Sequence, residues 1–392
     1  MDKDWFHSAV VYHILIDRFA AYTSTRWEEP VFCGGNLRGV IDKLPYLVDL
    51  GVDALYLSPF YAGTEYHGYH VTDYCSVDPR FGSEAVFREL ARLAHEAGLR
   101  VIVDFVPNHV SRRHPFFVAA ERDPKSEYRD WFFFSRRPGR YRTFLDVRDL
   151  PKLNLDFPPA REHVIGAALH WLAAGADGLR LDHAVGPSRR FLLALKRAVA
   201  ERRPDAVLFA EAWFAHASLR FLPGVDIPRK YLRWLFHALT QERVQFDCVP
   251  LFDGALDFAA RGLFLRQVAH AADADAGEKA LAAALARHYR RYPASFFLPA
   301  FLDNHDTNRF YFECGHDRRK LVRALELLLG LPRPVILYYG TETGLSQEKP
   351  LSPDAPYADL QARRIMNWDT PDRFLLDKVK ELIRRRRSSR GE

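Results

Sequence analysis

Short apolar runs alternate with amphipathic stretches along most of the chain. The runs lie at 9–16 (AVVYHILI), 54–58 (ALYLS), 100–106 (RVIVDFV), 178–182 (GLRLD), 206–211 (AVLFAE), 246–252 (FDCVPLF), 296–302 (FFLPAFL) and 334–339 (PVILYY). They are rich in Val, Ile, Leu, Phe and Tyr and are nearly continuous in hydrophobicity. That pattern suits parallel strands covered on both faces. Between them the apolar period becomes helical. Residues 83–97 (SEAVFRELARLAHEA) form one such stretch, with Ser83 placed as an N-cap and Gly98 as a stop just beyond the end. Others are 160–174, 188–203, 317–329 and 371–387. Eight strands, each followed by a helix, predict an α/β fold of the (β/α)8 TIM barrel type. A doubly wound open sheet is the alternative. It usually places a glycine-rich phosphate loop after the first strand, and none follows 9–16.

One connection is too long for a turn. Residues 110–159, after the third strand, are dense in aromatics, Pro and Gly and poor in helical periodicity. A long insertion at this face of a barrel is usually functional. The expected organisation is a barrel from 1–109 and 160–392, with 110–159 as a small inserted domain walling the active site.

Composition narrows the class. The 392 residues are 48% hydrophobic and 27% charged, which is ordinary for a globular protein and excludes disordered and collagen-like chains. Cys33, Cys75, Cys248 and Cys314 are scattered, without a CxxC, against a disulfide scaffold or zinc finger. The net charge of +6 invites a nucleic-acid reading, but the basic residues are dispersed. The one dense run, Arg384 to Arg387, reads as a solvated helix end. The N-terminal residues lack a signal-peptide pattern, and no apolar run reaches the roughly 18 residues of a membrane helix. The expectation is a cytoplasmic protein with neither nucleic-acid nor membrane partners; the oligomeric state stays open.

A barrel enzyme works at the C-terminal ends of its strands. The third run leads through Asp104 to Asn108 and His109, the fourth carries Arg180 and Asp182, the fifth ends in Glu211, and the seventh leads to Asn304, His305, Asp306 and Arg309. Carboxylates at successive strand ends repel one another and are costly to bury unless function requires them. Such clusters bind a divalent metal or cleave glycosides. Arg180 among them disfavours a metal, and nearby aromatics (Tyr61, Tyr66, Tyr69, Trp213, Phe310, Tyr311) suit stacking on sugar rings.

The motifs themselves resemble those of the α-amylase family of glycoside hydrolases. DFVPNH (104–109), GLRLD (178–182), AEAW (210–213) and FLDNHD (301–306) are similar to that family's third-, fourth-, fifth- and seventh-strand motifs, and LPKLN (150–154) to its extra motif near the end of the inserted domain. VYHILIDRF (11–19), HGYHVTDY (67–74), DPRFG (78–82) and YYGTETGL (338–345) add matches in the family's order. The resemblance implies Asp182 as nucleophile, Glu211 as general acid/base and Asp306 as transition-state stabiliser. It further implies that Arg180 keeps Asp182 ionised, that His109 and His305 hydrogen-bond sugar hydroxyls, and that Tyr69 stacks beneath the sugar. Asp104, Trp213 and Arg309 complete the expected substrate-binding set. The implied activity is retaining cleavage of α-1,4-glucosidic bonds in maltooligosaccharides or α-glucans. The alternatives are a 4-α-glucanotransferase or a catalytically inactive sugar-binding relative.

Two departures stand out. Many members place a Lys-His pair three and four residues after the nucleophile, the His holding a structural calcium through its backbone; here those positions are Val185 and Gly186. Asn108 remains without its usual partners; no cofactor and no metal ligand are expected, with a structural calcium as the alternative. His183, directly after the nucleophile, is unusual. Family members also usually carry a C-terminal β-sandwich, which is expected to be absent because the chain stops about where the eighth helix should end.

Overall fold

The computed structural model describes residues 3–137, 139–213, 241–352 and 357–389. Eight parallel strands form one curled sheet: β1 (Val10–Ile14), β2 (Ala54–Leu57), β3 (Arg100–Phe105), β4 (Gly178–Leu181), β5 (Val207–Ala210), β6 (Gly254–Ala255), β7 (Ala300–Phe301) and β8 (Val335–Tyr338). The order is β6-β5-β4-β3-β2-β1-β8-β7. A parallel bridge between Gly254 and Phe297 joins the two ends. Backbone bonds from Phe297 N to Asp253 O (2.8 Å) and from Ala255 N to Phe297 O (3.0 Å) complete the ring. The chain is a (β/α)8 barrel.

The strand period of two explains both the packing and the site. Leu55, Leu57, Val101, Val103, Leu179, Leu181, Leu208, Leu337 and their neighbours face the surrounding helices in one large core. Val11, Ala54, Tyr56, Ile102, Val207, Phe209, Phe301 and Ile336 fill the barrel interior. Following the interior row one pleat upward from Ile102 leads to Asp104, and from Phe209 to Glu211. The same row on β4 carries Arg180 and then Asp182. The apolar floor thus passes into a charged rim by alternation alone.

The helices form where their periodicity places them. Glu84–Glu96 starts with Ser83 Oγ accepting from Val86 N, buries Phe87, Leu90, Ala91 and Ala94, and is followed by Gly98 at φ +79°. Pro158–Ala174, Arg189–Arg202, Arg318–Leu329 and Arg373–Ser388 match the other four stretches.

Three expectations are corrected. The apolar run 246–252 is not the sixth strand. It lies at the end of a helix (Gln241–Phe246) and in the turns after it, burying Cys248, Leu251 and Phe252, and the strand is the short Gly254–Ala255. A short apolar run has the same signature in a strand as in a buried turn. The seventh strand is only Ala300–Phe301, because Pro299 has no N–H for the ladder. The Arg384–Arg387 run is not simply a solvated helix end. Arg386 is 7% exposed and donates to the carbonyls of Ser8, Leu329, Leu331 and Arg333.

Between β3 and the helix Pro158–Ala174 lie a helix (Pro115–Arg122), a 3-10 turn (Arg129–Trp131) and an antiparallel hairpin pairing Thr143–Phe144 with Val147–Pro151. A bridge of His109 to Lys152 fastens this segment to the barrel rim, and one of Phe132 to Leu153 ties it together internally. Among the described residues no helix is long and apolar enough to cross a membrane. All four cysteines are free.

Candidate active site

A cavity of about 340 Å³ opens at the C-terminal ends of the strands. Asp182, Glu211 and Asp306 line it, with Tyr69, His109, His305 and Trp213 around them. Asp182 directly follows β4 and Glu211 directly follows β5. The ladder places them side by side, since Leu181 pairs with Ala210 and Glu211 N donates to Leu181 O (2.9 Å).

One guanidinium organises the carboxylates. Arg180 is fully buried; its Nη1 donates to Asp104 Oδ1 (2.7 Å), Asp104 Oδ2 (2.8 Å) and Asp182 Oδ1 (3.1 Å), while its Nη2 lies 2.6 Å from Glu211 Oε1. The Nη2 contact is ionic, without hydrogen-bond geometry. Glu211 Oε2 accepts from the backbone N–H of His183 (3.0 Å). His183 has φ +42°, a left-handed conformation that costs a non-glycine residue of the order of 1–3 kcal/mol. It aims that N–H at Glu211.

Across the cavity Asp306 is held by two other groups. Its Oδ1 accepts from Arg363 Nη2 (2.7 Å), and His305 Nε2 lies 2.9 Å from its Oδ2. Tyr69 stacks on His305 (5.2 Å, 12°) and its hydroxyl bonds both His305 Nε2 (2.7 Å) and Asp104 Oδ2 (2.8 Å). His109 stacks on Phe144 at 4.6 Å. Trp213, 41% exposed, presents its ring at the rim.

These surroundings divide the carboxyl groups. Burial raises Asp182 well above the usual range, and the neighbouring Glu211 charge adds to this against the pull of Arg180. Glu211 is raised for the same first reason, burial, opposed by Arg180. One cation facing Asp104, Asp182 and Glu211 cannot neutralise all three, so Asp182 and Glu211 retain a shared proton above ordinary carboxylate pH and titrate as a pair. Asp306 goes the other way. Burial opposes its charge, but His305, Arg363 and Arg180 overcome that and hold it well below its usual value. Burial pushes the imidazole of His183 down to about 3, that of His70 to about 4, and that of His109 well below the ordinary range.

The expected residues fall into two groups. Asp182, Glu211, Asp306, Tyr69, His109, His305 and Trp213 share the cavity wall. Asp104, Arg180 and Arg309 are fully buried and absent from that wall. Asp104 spends its oxygens on Arg180, Tyr56 and Tyr69. Arg180 supports three carboxylates rather than Asp182 alone. Arg309 donates to Tyr339 O (2.6 Å) and Ala362 O (3.0 Å) with its guanidinium 4.0 Å over Tyr338. Of the aromatics weighed for stacking, Phe310 and Tyr61 are buried in the core. Two charged wall residues lay outside every motif, Arg363 and Asp359, which pair at 2.5 Å four positions apart. The D-x3-R spacing (359–363) after the YYGTETGL loop was their only local signal.

Where many family members hold a structural calcium, this chain has Gly186. The carbonyl of Gly186 already accepts from the ammonium of Lys152 (2.6 Å). A Cβ at Gly186 would lie 2.2 Å from Asn108 Oδ1, so a larger residue there requires the Asn108 side chain to move. Among the described residues no three His, Cys, Asp or Glu side chains are grouped to hold a metal ion.

Comparison with known proteins agrees with this geometry. The catalytic-domain profile of the alpha-amylase family matches residues 13–213. Cyclomaltodextrinase of a Bacillus species is 33% identical, over 93% of this chain and 62% of its own. Alpha-amylase 2 of Dictyoglomus thermophilum is 31% identical, over 98% of this chain and 64% of its own. The chain therefore spans a little under two thirds of these curated relatives. The ligand-free cyclic α-maltosyl-(1→6)-maltose hydrolase of Arthrobacter globiformis superposes with a TM-score of 0.79 at 29% identity, covering 97% of this chain and 83% of that one. A profile match to half the chain, together with relatives 31% and 33% identical over nearly all of it, establishes that this chain belongs to the α-amylase family.

Proposed function

We propose that the protein is a retaining glycoside hydrolase that cleaves α-1,4-glucosidic bonds in maltooligosaccharides or related short or cyclic α-glucans. The observation that carries this reading is the placement of Asp182 and Glu211 on one buried guanidinium at a cavity wall, with an ionised Asp306 opposite. Adjacent carboxyls leave little room behind the sugar for a water, so a carboxylate attacks the anomeric carbon. Asp182 is assigned that attack. Glu211 holds the shared proton when it reacts and gives it to the departing glycosidic oxygen. In the second half-reaction Glu211 takes a proton from water, whose oxygen displaces Asp182. Asp306, negative across the working pH range, stabilises the positive charge that develops on the ring.

Tyr69 and His305 are assigned to the bound sugar, with Asp104 and Arg180 as positioning residues behind them. Segment 110–159 is assigned to one wall of the site. The names of the relatives support small substrates, and two relatives at 29% identity are named intracellular maltogenic amylase, which supports a cytoplasmic location. The test is the anomer formed first. NMR during hydrolysis of maltotetraose should show the α-anomer before mutarotation, and a β-anomer first would end the assignment. Initial rates should favour maltotetraose over isomaltotriose and sucrose.

A further inference from the structure

The loop that follows β4 carries Asp182, the strained His183 and then Gly186 before the helix Arg189–Arg202 begins. Two side-chain bonds hold it to the segment after β3: Lys152 Nζ to Gly186 O (2.6 Å) and Ser188 Oγ to Asp156 Oδ1 (2.7 Å). The first has unusual surroundings. Lys152 sits in the hairpin strand end whose backbone bridges His109, and Leu153 N donates to Asn108 O (3.0 Å). Asn108 is 2% exposed, and its Oδ1 is buried with no hydrogen-bond donor. That oxygen faces the Cα of Gly186, closely enough that a Cβ would strike it. The Gly186 carbonyl bound by Lys152, an orphaned amide oxygen packed against the same glycine and a backbone crossover therefore lie together. The surroundings have the chemistry of an oxygen-lined cation site.

We infer that the Lys152 ammonium is the built-in cation of this site, fixing the Asp182–Gly186 loop to the inserted segment in place of a metal ion. This makes Lys152 a positioning residue for Asp182 and for the His183 N–H that supports Glu211. The inference rests on the assignment of Asp182 as nucleophile only for its kinetic arm.

The experiment combines metal titration with two variants. In the wild-type protein, dialysis against a strong chelator should leave the melting midpoint and kcat unchanged, and calorimetry with calcium chloride should show no millimolar-range binding. Lys152→Met keeps the length of the stem but removes the charge. It should lower kcat about tenfold or more with KM nearly unchanged, the size of effect expected when a reacting group is displaced by a fraction of an ångström to one ångström. Lys152→Asp places a carboxylate beside the Asn108 and Gly186 oxygens. An aspartate is shorter than lysine, and a metal–oxygen distance of about 2.3–2.6 Å makes up the difference. Its melting midpoint and kcat should rise with calcium and fall again with chelator.

Calcium dependence of the wild type overturns the inference. So does a Lys152→Asp protein indifferent to calcium, or a Lys152→Met protein with wild-type kcat. Should either variant fail to fold, the wild-type titration alone still decides against or for a metal. Failure of the hydrolase assignment would show separately, as Asp182→Asn with normal rate, and leaves the melting and calcium arms readable.

Discussion

Replacing Asp104 by asparagine separates two roles that the resemblance alone cannot distinguish, sugar contact and internal support. In the structure the carboxylate receives Arg180 Nη1 on both oxygens (2.7 and 2.8 Å) and the hydroxyls of Tyr56 and Tyr69 (2.8 Å each). Asparagine keeps one acceptor and points an NH2 at groups that are themselves donors. Breaking one partner of a buried ion pair costs about 3–5 kcal/mol, because the other charge stays buried. At roughly 2.1 cal/mol/K per residue near 60 °C, a 392-residue chain unfolds with an entropy of about 0.8 kcal/mol/K. The melting midpoint should therefore drop by about 4–6 °C. Tyr69 and Arg180 lose their anchor together, so kcat should fall at least tenfold while KM changes little. Scanning calorimetry and initial rates on maltotetraose measure both. A variant that melts like the wild type but shows a strongly raised KM would mean that Asp104 binds sugar directly, and would refute its placement as a support.

Asp182→Asn, Glu211→Gln and Asp306→Asn should each lower kcat by at least about 10²–10³-fold, since a group acting on transition-state charge supplies several kcal/mol; circular dichroism should show the fold retained. Asp182 has its folded pKa raised, so its contribution to stability is present at low pH and lost as pH rises through that pKa; Asp182→Asn should therefore melt no lower than the wild type at pH 7–8, and lower melting there would contradict the repulsion described. The alkaline limb of kcat/KM should mark loss of the shared proton and lie above the ordinary carboxylate range, whereas Asp306, held low, should not set it. Arg386→Met, far from the cavity, should leave kcat intact but lower the melting midpoint, because four carbonyls lose their donor.

The sequence made most of the barrel legible where strands are long and β-branched, as in VVYHI and RVIVDF, and where helices carry caps such as Ser83. It failed at the sixth strand because Gly254–Ala255 has no side-chain signature, and the nearby FDCVPLF run had one for another reason. Motif order located Asp182, Glu211 and Asp306 along the chain and the pleat carries the first two to the cavity, so alternation from Arg180 or Phe209 was a usable signal. Direction was not legible for Arg309. It stands three residues beyond Asp306, but its chain has turned, and its guanidinium is taken up by carbonyls of 339 and 362. Arg363 was missed because it comes from a loop with no strand end to mark it. Its importance arises only from meeting Asp306, 57 residues away in sequence.

The ring of strands is closed where its two shortest members, β6 and β7, meet, by the bridge of Gly254 to Phe297 just before β7 and a bond from Asp257 N to Pro299 O. A hoop under strain opens at its clasp. Glu211 stands on the strand just before this joint and Asp306 on the loop just after it, so the clasp sets the width of the gap across which substrate must be gripped. Loosening there changes the jaw without unfolding the frame. Amide protons of Ala255 and Phe297 should exchange faster than those of β3 and β4. Their exchange should slow when a sugar spans the two sides, because a ligand held by both jaws acts as a second fastening.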